Sequence, residues 1–164
     1  SKDSKLAYWI NAYNALTVQL ILQNYPLKSI KEIYNPWNKY CFEVKGKVYT
    51  LGEIEHKILR KMGDPRIHFA INCASESCPK LLNQAYEEKQ LEKQLIRATN
   101  LFLLDTTKNI ITDKYLKLSR IFLWFGNDFG SKKERLEFIS KYSGFKIDFT
   151  KIKYLKYDWS LNEQ

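Results

Sequence analysis

No run of about 18 uncharged apolar residues, the length that spans a bilayer, occurs in the 164 residues, so the sequence predicts no membrane span. The opening Ser1-Lys2-Asp3-Ser4-Lys5 lacks the apolar stretch of a signal peptide. Glycine and proline number only six and four, and they form no linker, repeat or low-complexity segment, which favours one continuous domain over 1–164. Histidine is scarcer still, at two. With three cysteines and no Cys-x-x-Cys pair, a structural zinc site has little to stand on. Gly-x-Gly-x-x-Gly, a Walker loop, His-Glu-x-x-His, a calcium loop and Gly-x-Ser-x-Gly are all missing. Dinucleotide, zinc-protease, calcium and serine-hydrolase readings fall away with them, and neither a metal nor a cofactor is expected. Negative charge is also short, 18 acidic against 27 basic residues for a net +9. The basic residues are nevertheless scattered, only five are arginine, and several stand beside Glu or Asp as on solvated helix faces. A nucleic-acid partner is therefore not expected.

What is present alternates between helical and strand periods. Leu6, Trp9, Tyr13, Leu16 and Leu20 recur every three or four residues and predict a helix over 2–24, capped by Ser1 or Asp3 and stopped by Pro26. A helical turn follows over 29–34. Tyr40, Phe42 and Val44, then Val48-Tyr49-Thr50, alternate around Gly46 as a β-hairpin. Leu51–Arg60 returns to helical spacing and ends near Gly63. Ile67-His68-Phe69-Ala70-Ile71 is short, apolar and flanked by breakers, and reads as a buried strand. A strong amphipathic helix is predicted over 87–104, a second hairpin over 109–118, helices capped by Ser119 and Ser131, and an edge strand over 151–157. Without a regular βαβ rhythm the class is α+β: helices packed around short antiparallel hairpins and one buried strand. The tryptophans are expected in the core.

Five blocks carry a resemblance: Tyr8-Trp-Ile-Asn-Ala-Tyr-Asn-Ala-Leu-Thr17, Ile54-Glu-His56, Asp64-Pro-Arg-Ile-His-Phe-Ala70, Cys73-Ala-Ser-Glu-Ser-Cys-Pro79 and Tyr157-Asp-Trp-Ser-Leu-Asn162. In this order they resemble the signature blocks of domain of unknown function 547, from about Leu6 to Asn162. The resemblance carries no reaction with it. Members occur in bacterial proteins, often exported, and joined to other modules in plants and animals, which implies an enzyme or an adaptable binding domain. It also makes an exported location plausible.

Within these blocks, Cys73 stands where a predicted strand enters a polar loop, a common place for functional groups. A cysteine nucleophile needs a base and a group to orient that base. His56 and His68 are the candidate bases, and Asp158 a candidate orienting carboxylate. His68 on an extended strand would stand roughly 15 Å from Cys73, which favours His56. Cys73 and Cys78, five residues apart, are either two thiols at one turn or a disulfide. Asn11 and Asn14 share one face of the first helix, as pins for the Cys73 loop or as donors to substrate. Arg66 is placed to clamp a carboxylate or form an internal salt bridge, and Ser75 flanks the site as a further substrate contact. The leading expectation is a thiol-dependent hydrolase or acyl transferase, loosely of papain or transglutaminase type, acting on a small molecule or peptide. Its rivals are a non-catalytic interaction or ligand-binding domain and a thiol-disulfide redox protein.

Overall fold

A computed structural model describes residues 1–39, 41–44, 46–112, 114–147 and 151–163. The first helix, α1 (Lys2–Asn24), starts where the Ser1 hydroxyl accepts from the Ser4 amide at 3.1 Å. It buries Leu6, Ile10, Tyr13 and Leu20 along one stripe, each fully buried leucine contributing about 2 kcal/mol of transfer free energy. A 3-10 turn (Ile30–Glu32) capped by Ser29 leads towards the hairpin β1 (Cys41–Val44) and β2 (Lys47–Thr50), paired antiparallel with Phe42 opposite Tyr49. Predicted positions Tyr40 and Lys45 lie outside the described residues. Thr50 and Glu53 form a capping box that starts α2 (Leu51–Glu53). The helix runs on as a π-helical stretch (Ile54–Leu59) and a 3-10 turn (Arg60–Met62), and Gly63 ends it at φ +76°.

The next segment departs from the sequence-based expectation. Residues Ile67–Ile71 are buried as predicted but form no strand: Pro65–Phe69 is a 3-10 helix. Asp64 accepts from the Arg66 amide as N-cap, and Pro65 occupies the first turn, where its missing N–H costs nothing. Because all five positions, His68 included, are buried, no exposed residue interrupts them to betray the period. The segment packs against α3 (Leu91–Leu104), which follows a 3-10 turn (Glu88–Gln90).

Beyond α3, β3 (Ile110–Ile111) and β4 (Leu116–Leu118) make the second hairpin, whose Asp113 lies outside the described residues. The Ser119 hydroxyl accepts from the Ile121 amide at the start of α4 (Ile121–Trp124). A 3-10 turn (Gly126–Phe129) follows, then α5 (Lys132–Ser143), which Ser131 and Glu134 open with a capping box. The edge strand, β5 (Ile152–Tyr154), lies parallel to β4, so the three-stranded sheet is mixed where only antiparallel hairpins were expected. Two apolar clusters result. One is built on α1 with Ile30, Leu51 and Ile54; the other is aromatic, around Phe69, Phe102, Phe122 and Phe129. Trp159 packs against both. Among the described residues no helix is long and apolar enough to cross a membrane.

Candidate functional site

The Cys73 loop is held from two sides. From α1, the Asn14 amide donates to the Ala70 carbonyl at 2.9 Å and accepts from the Asn72 amide N–H at 2.8 Å. Asn72 continues the chain of contacts, accepting from the Ala74 N–H at 2.6 Å and donating to the Pro79 carbonyl at 2.7 Å. Ala74 is thereby kept at φ +60°, a left-handed conformation that L-residues rarely adopt. From the other side, the Glu76 N–H donates to the Ser160 carbonyl (2.8 Å), Ser77 N–H to Asp158 (3.1 Å), and Asn162 N–H to Ala74 (3.1 Å). Inside this clamp the sulfurs of Cys73 and Cys78 are joined, with Cα atoms 6.2 Å apart. The fully buried Ser75 hydroxyl donates to the Tyr157 hydroxyl at 3.1 Å. That phenol lies 3.5 Å from Cys73 Sγ and 3.4 Å from Cys78 Sγ, and burial pushes its pKa up to about 12.

A polar network includes His68, which lines the same cavity as the sulfurs. His68 Nε2 lies 2.8 Å from Asp128 Oδ2, and the same carboxylate takes a two-point contact from Arg60, at 2.6 Å from Nε and 2.8 Å from Nη2. Arg60, first, and then His68 hold the Asp128 carboxyl below the usual range. The carboxylate can only accept, so Nε2 of His68 carries the proton and Nδ1 keeps its lone pair. Burial lowers the His68 pKa to about 4, so the imidazole is neutral at pH 7. Its ring stacks on Phe125 with centroids 4.2 Å apart. His56 is exposed, and its Nδ1 lies 3.3 Å from Arg60 Nη1. Beside it Glu55 is buried and accepts from the Tyr13 hydroxyl at 3.2 Å, with burial raising its pKa.

One open cavity of about 230 Å³ is lined by Cys73, Cys78 and Tyr157 together with Tyr13, Glu55, His56 and His68. The remaining wall is aromatic. Trp124 and Trp159 stack with centroids 5.8 Å apart, and Trp37 meets Trp159 edge-on at 5.9 Å. Three of the four tryptophans thus line the cavity; Trp37 and Trp159 also pack against the apolar core as expected, whereas Trp124 is 44% exposed. The cavity lies at the seam of the two apolar clusters, with Ile71 from one and Ile121 from the other.

The candidate residues separate accordingly. Cys73, His56 and His68 share the cavity, and the 3-10 geometry removes the long extended separation that disfavoured His68. Asp158 lies away from the imidazoles, on the surface, where its carboxylate accepts from the Ser160 N–H and hydroxyl; the carboxylate on His68 is Asp128. Asn14 pins the Cys73 loop, whereas Asn11 is bonded through both amide atoms to the Tyr86 backbone. Arg66 forms an internal bridge to Asp64 and Glu92. Ser75 bonds Tyr157 beneath the loop. Sequence reasoning missed Asp128, Arg60, Glu55 and Tyr157. Arg60 stands four residues after His56, one helical turn away, and Tyr157 opens the closing block, so both had a signal. Asp128 stands 60 residues from its partner in a stretch without a motif. Among the described residues no three His, Cys, Asp or Glu side chains converge to hold a metal ion.

Comparison with curated proteins and with solved structures gives no match. The family model described as "Protein of unknown function, DUF547" matches residues 1–103, more than half of the chain, and the protein therefore belongs to the DUF547 family.

Proposed function

We propose that the cavity is the active site of a thiol-dependent hydrolase or acyl transferase, acting in the reduced state with Cys73 as nucleophile. The observation that carries this reading is the buried His68 imidazole, held by the half-buried Asp128 carboxylate, lining the same cavity as half-buried Cys73. Asp128 fixes the imidazole tautomer and ring orientation, leaving Nδ1 able to accept a proton. Two electrons and two protons from an external dithiol reductant open the Cys73–Cys78 bond, giving two thiols and oxidising the reductant to its disulfide. Deprotonated by His68, Cys73 Sγ then attacks the carbonyl carbon of a small-molecule or peptide acyl substrate. The leaving group departs with the proton from the imidazolium, and a thioester remains. Water or an amine attacks that thioester and releases Cys73.

The joined sulfurs also favour a second reading, in which they staple the loop and the cavity only binds. Mass-resolved iodoacetamide labelling from pH 5 to 9, before and after dithiothreitol, separates the two. The enzyme reading expects no labelling of Cys73 or Cys78 in the oxidised protein, then fast labelling of Cys73 with a midpoint well below the ordinary value of about 8.5, slowed by Asp128→Asn. Equal, slow labelling of Cys73 and Cys78 after reduction would leave the binding domain in its place.

A further inference from the structure

Glu55 is a buried carboxylate with an incomplete set of partners. It is 8% exposed, and among the described residues its only hydrogen-bond donor is the Tyr13 hydroxyl, at the long distance of 3.2 Å on Oε2. A carboxylate removed from water is ordinarily matched by a cation or by two or three donors. Arg60, the nearby guanidinium, is committed through Nε and Nη2 to Asp128 and through Nη1 to His56. His68 is committed to Asp128 as well. Among the described residues no protein cation is thus hydrogen-bonded to Glu55, although His56 and Arg60 act on it through space, and it lines the cavity.

The aromatic part of the lining is suited to a cation for a separate reason. Trp37, Trp124, Tyr157 and Trp159 turn around one opening, with Tyr157 and Trp159 centroids 4.6 Å apart and Trp124 and Tyr157 4.8 Å apart. Aromatic faces carry negative potential and hold ammonium groups within about 6 Å of their centroids. Trp159 already holds one, the Lys31 ammonium 4.1 Å from its ring. Carboxylate and aromatic wall face a volume of about 230 Å³, enough for a small organic molecule.

We infer that the cavity binds a small primary organic ammonium ion, its N–H groups donating to Glu55 and the methylene next to the nitrogen, which shares the positive charge, lying against the faces of Trp37, Trp124 and Trp159. The inference rests on the proposal above only in taking this cavity as the functional site. If thiol chemistry also operates there, such an ammonium, after passing one proton to the Glu55 carboxylate, is the amine that attacks the thioester. Binding itself needs no free thiol.

Isothermal titration of the oxidised protein with n-butylammonium at pH 8, against n-butanol as the neutral partner of nearly the same shape, tests it. The ammonium should bind about tenfold or more tightly than the alcohol, and Glu55→Gln should abolish that preference. Trp159→Phe, which keeps an aromatic face if Glu55→Gln misfolds, should weaken the ammonium without reversing the preference. Equal binding of alcohol and ammonium, an unchanged preference in Glu55→Gln, or no heat from either ligand would overturn the inference. Because the sulfurs stay joined throughout, failure here leaves the labelling result standing, and the reverse also holds.

Discussion

Asp128 is shared between a guanidinium and an imidazole, and the sharing sets how His68 responds to acid. The folded His68 pKa, about 4, lies below its ordinary value of 6.5 because burial penalises the charged ring. Between those pH values the unfolded chain takes up a proton that the folded chain refuses, so stability falls as pH drops through that window, by up to about 3 kcal/mol. Asp128, held low by Arg60, adds a loss of the same sign at still lower pH. In His68→Gln the amide still donates to Asp128 but does not titrate. Urea denaturation from pH 7 to pH 4 should therefore show a flatter decline for the variant; parallel declines would remove the buried neutral imidazole from the account. At this scale the sequence was readable by residue type. Cys73, His56 and His68 stood out as the chemistry-bearing groups and do share a cavity. Their carboxylate did not stand out, because Asp158 and Asp128 look alike until folding places only one of them against a ring.

Among the elements, the 3-10 helix Pro65–Phe69 and its exit matter most for the site. Asn14 anchors that exit to α1 by two buried hydrogen bonds, and Asn14→Ala leaves the Ala70 carbonyl and the Asn72 N–H without them. The loss should reach about 2–6 kcal/mol, given roughly 1–3 for each of the two unpaired buried groups. Thermal melting and calorimetry of the variant measure it, and a change below about 0.5 kcal/mol would mean that water replaces the amide fully. Most helices were legible from spacing and caps: Ser1, Thr50 and Ser131 each accept from a first-turn amide at the start of a predicted helix. The buried segment after Asp64-Pro65 was not, because a run with no exposed face has no period to read. Nor was the parallel pairing of β4 with β5, since alternation within a strand carries no information about the direction of its neighbour.

For the molecule as a whole, the family match and the cavity do not cover the same residues. The match ends at 103, whereas Ile121, Trp124, Phe125, Tyr157 and Trp159 complete the cavity walls. Phe69, Phe102 and Leu103 lie within the matched stretch but belong to the aromatic cluster finished by Leu118, Phe122 and Ile139. A fragment of residues 1–103 should therefore expose these side chains, bind a hydrophobic dye and melt without a cooperative transition, while the full chain melts in one step. A sharp melt of the fragment would show that the matched stretch folds independently. The clamp on the Cys73 loop adds a consequence in time. Glu76 and Ser77 find their acceptors on Ser160 and Asp158, some eighty positions later. During synthesis the two cysteines emerge long before the segment that covers them, so the growing chain meets oxidants, chaperones and stray electrophiles with both thiols uncovered.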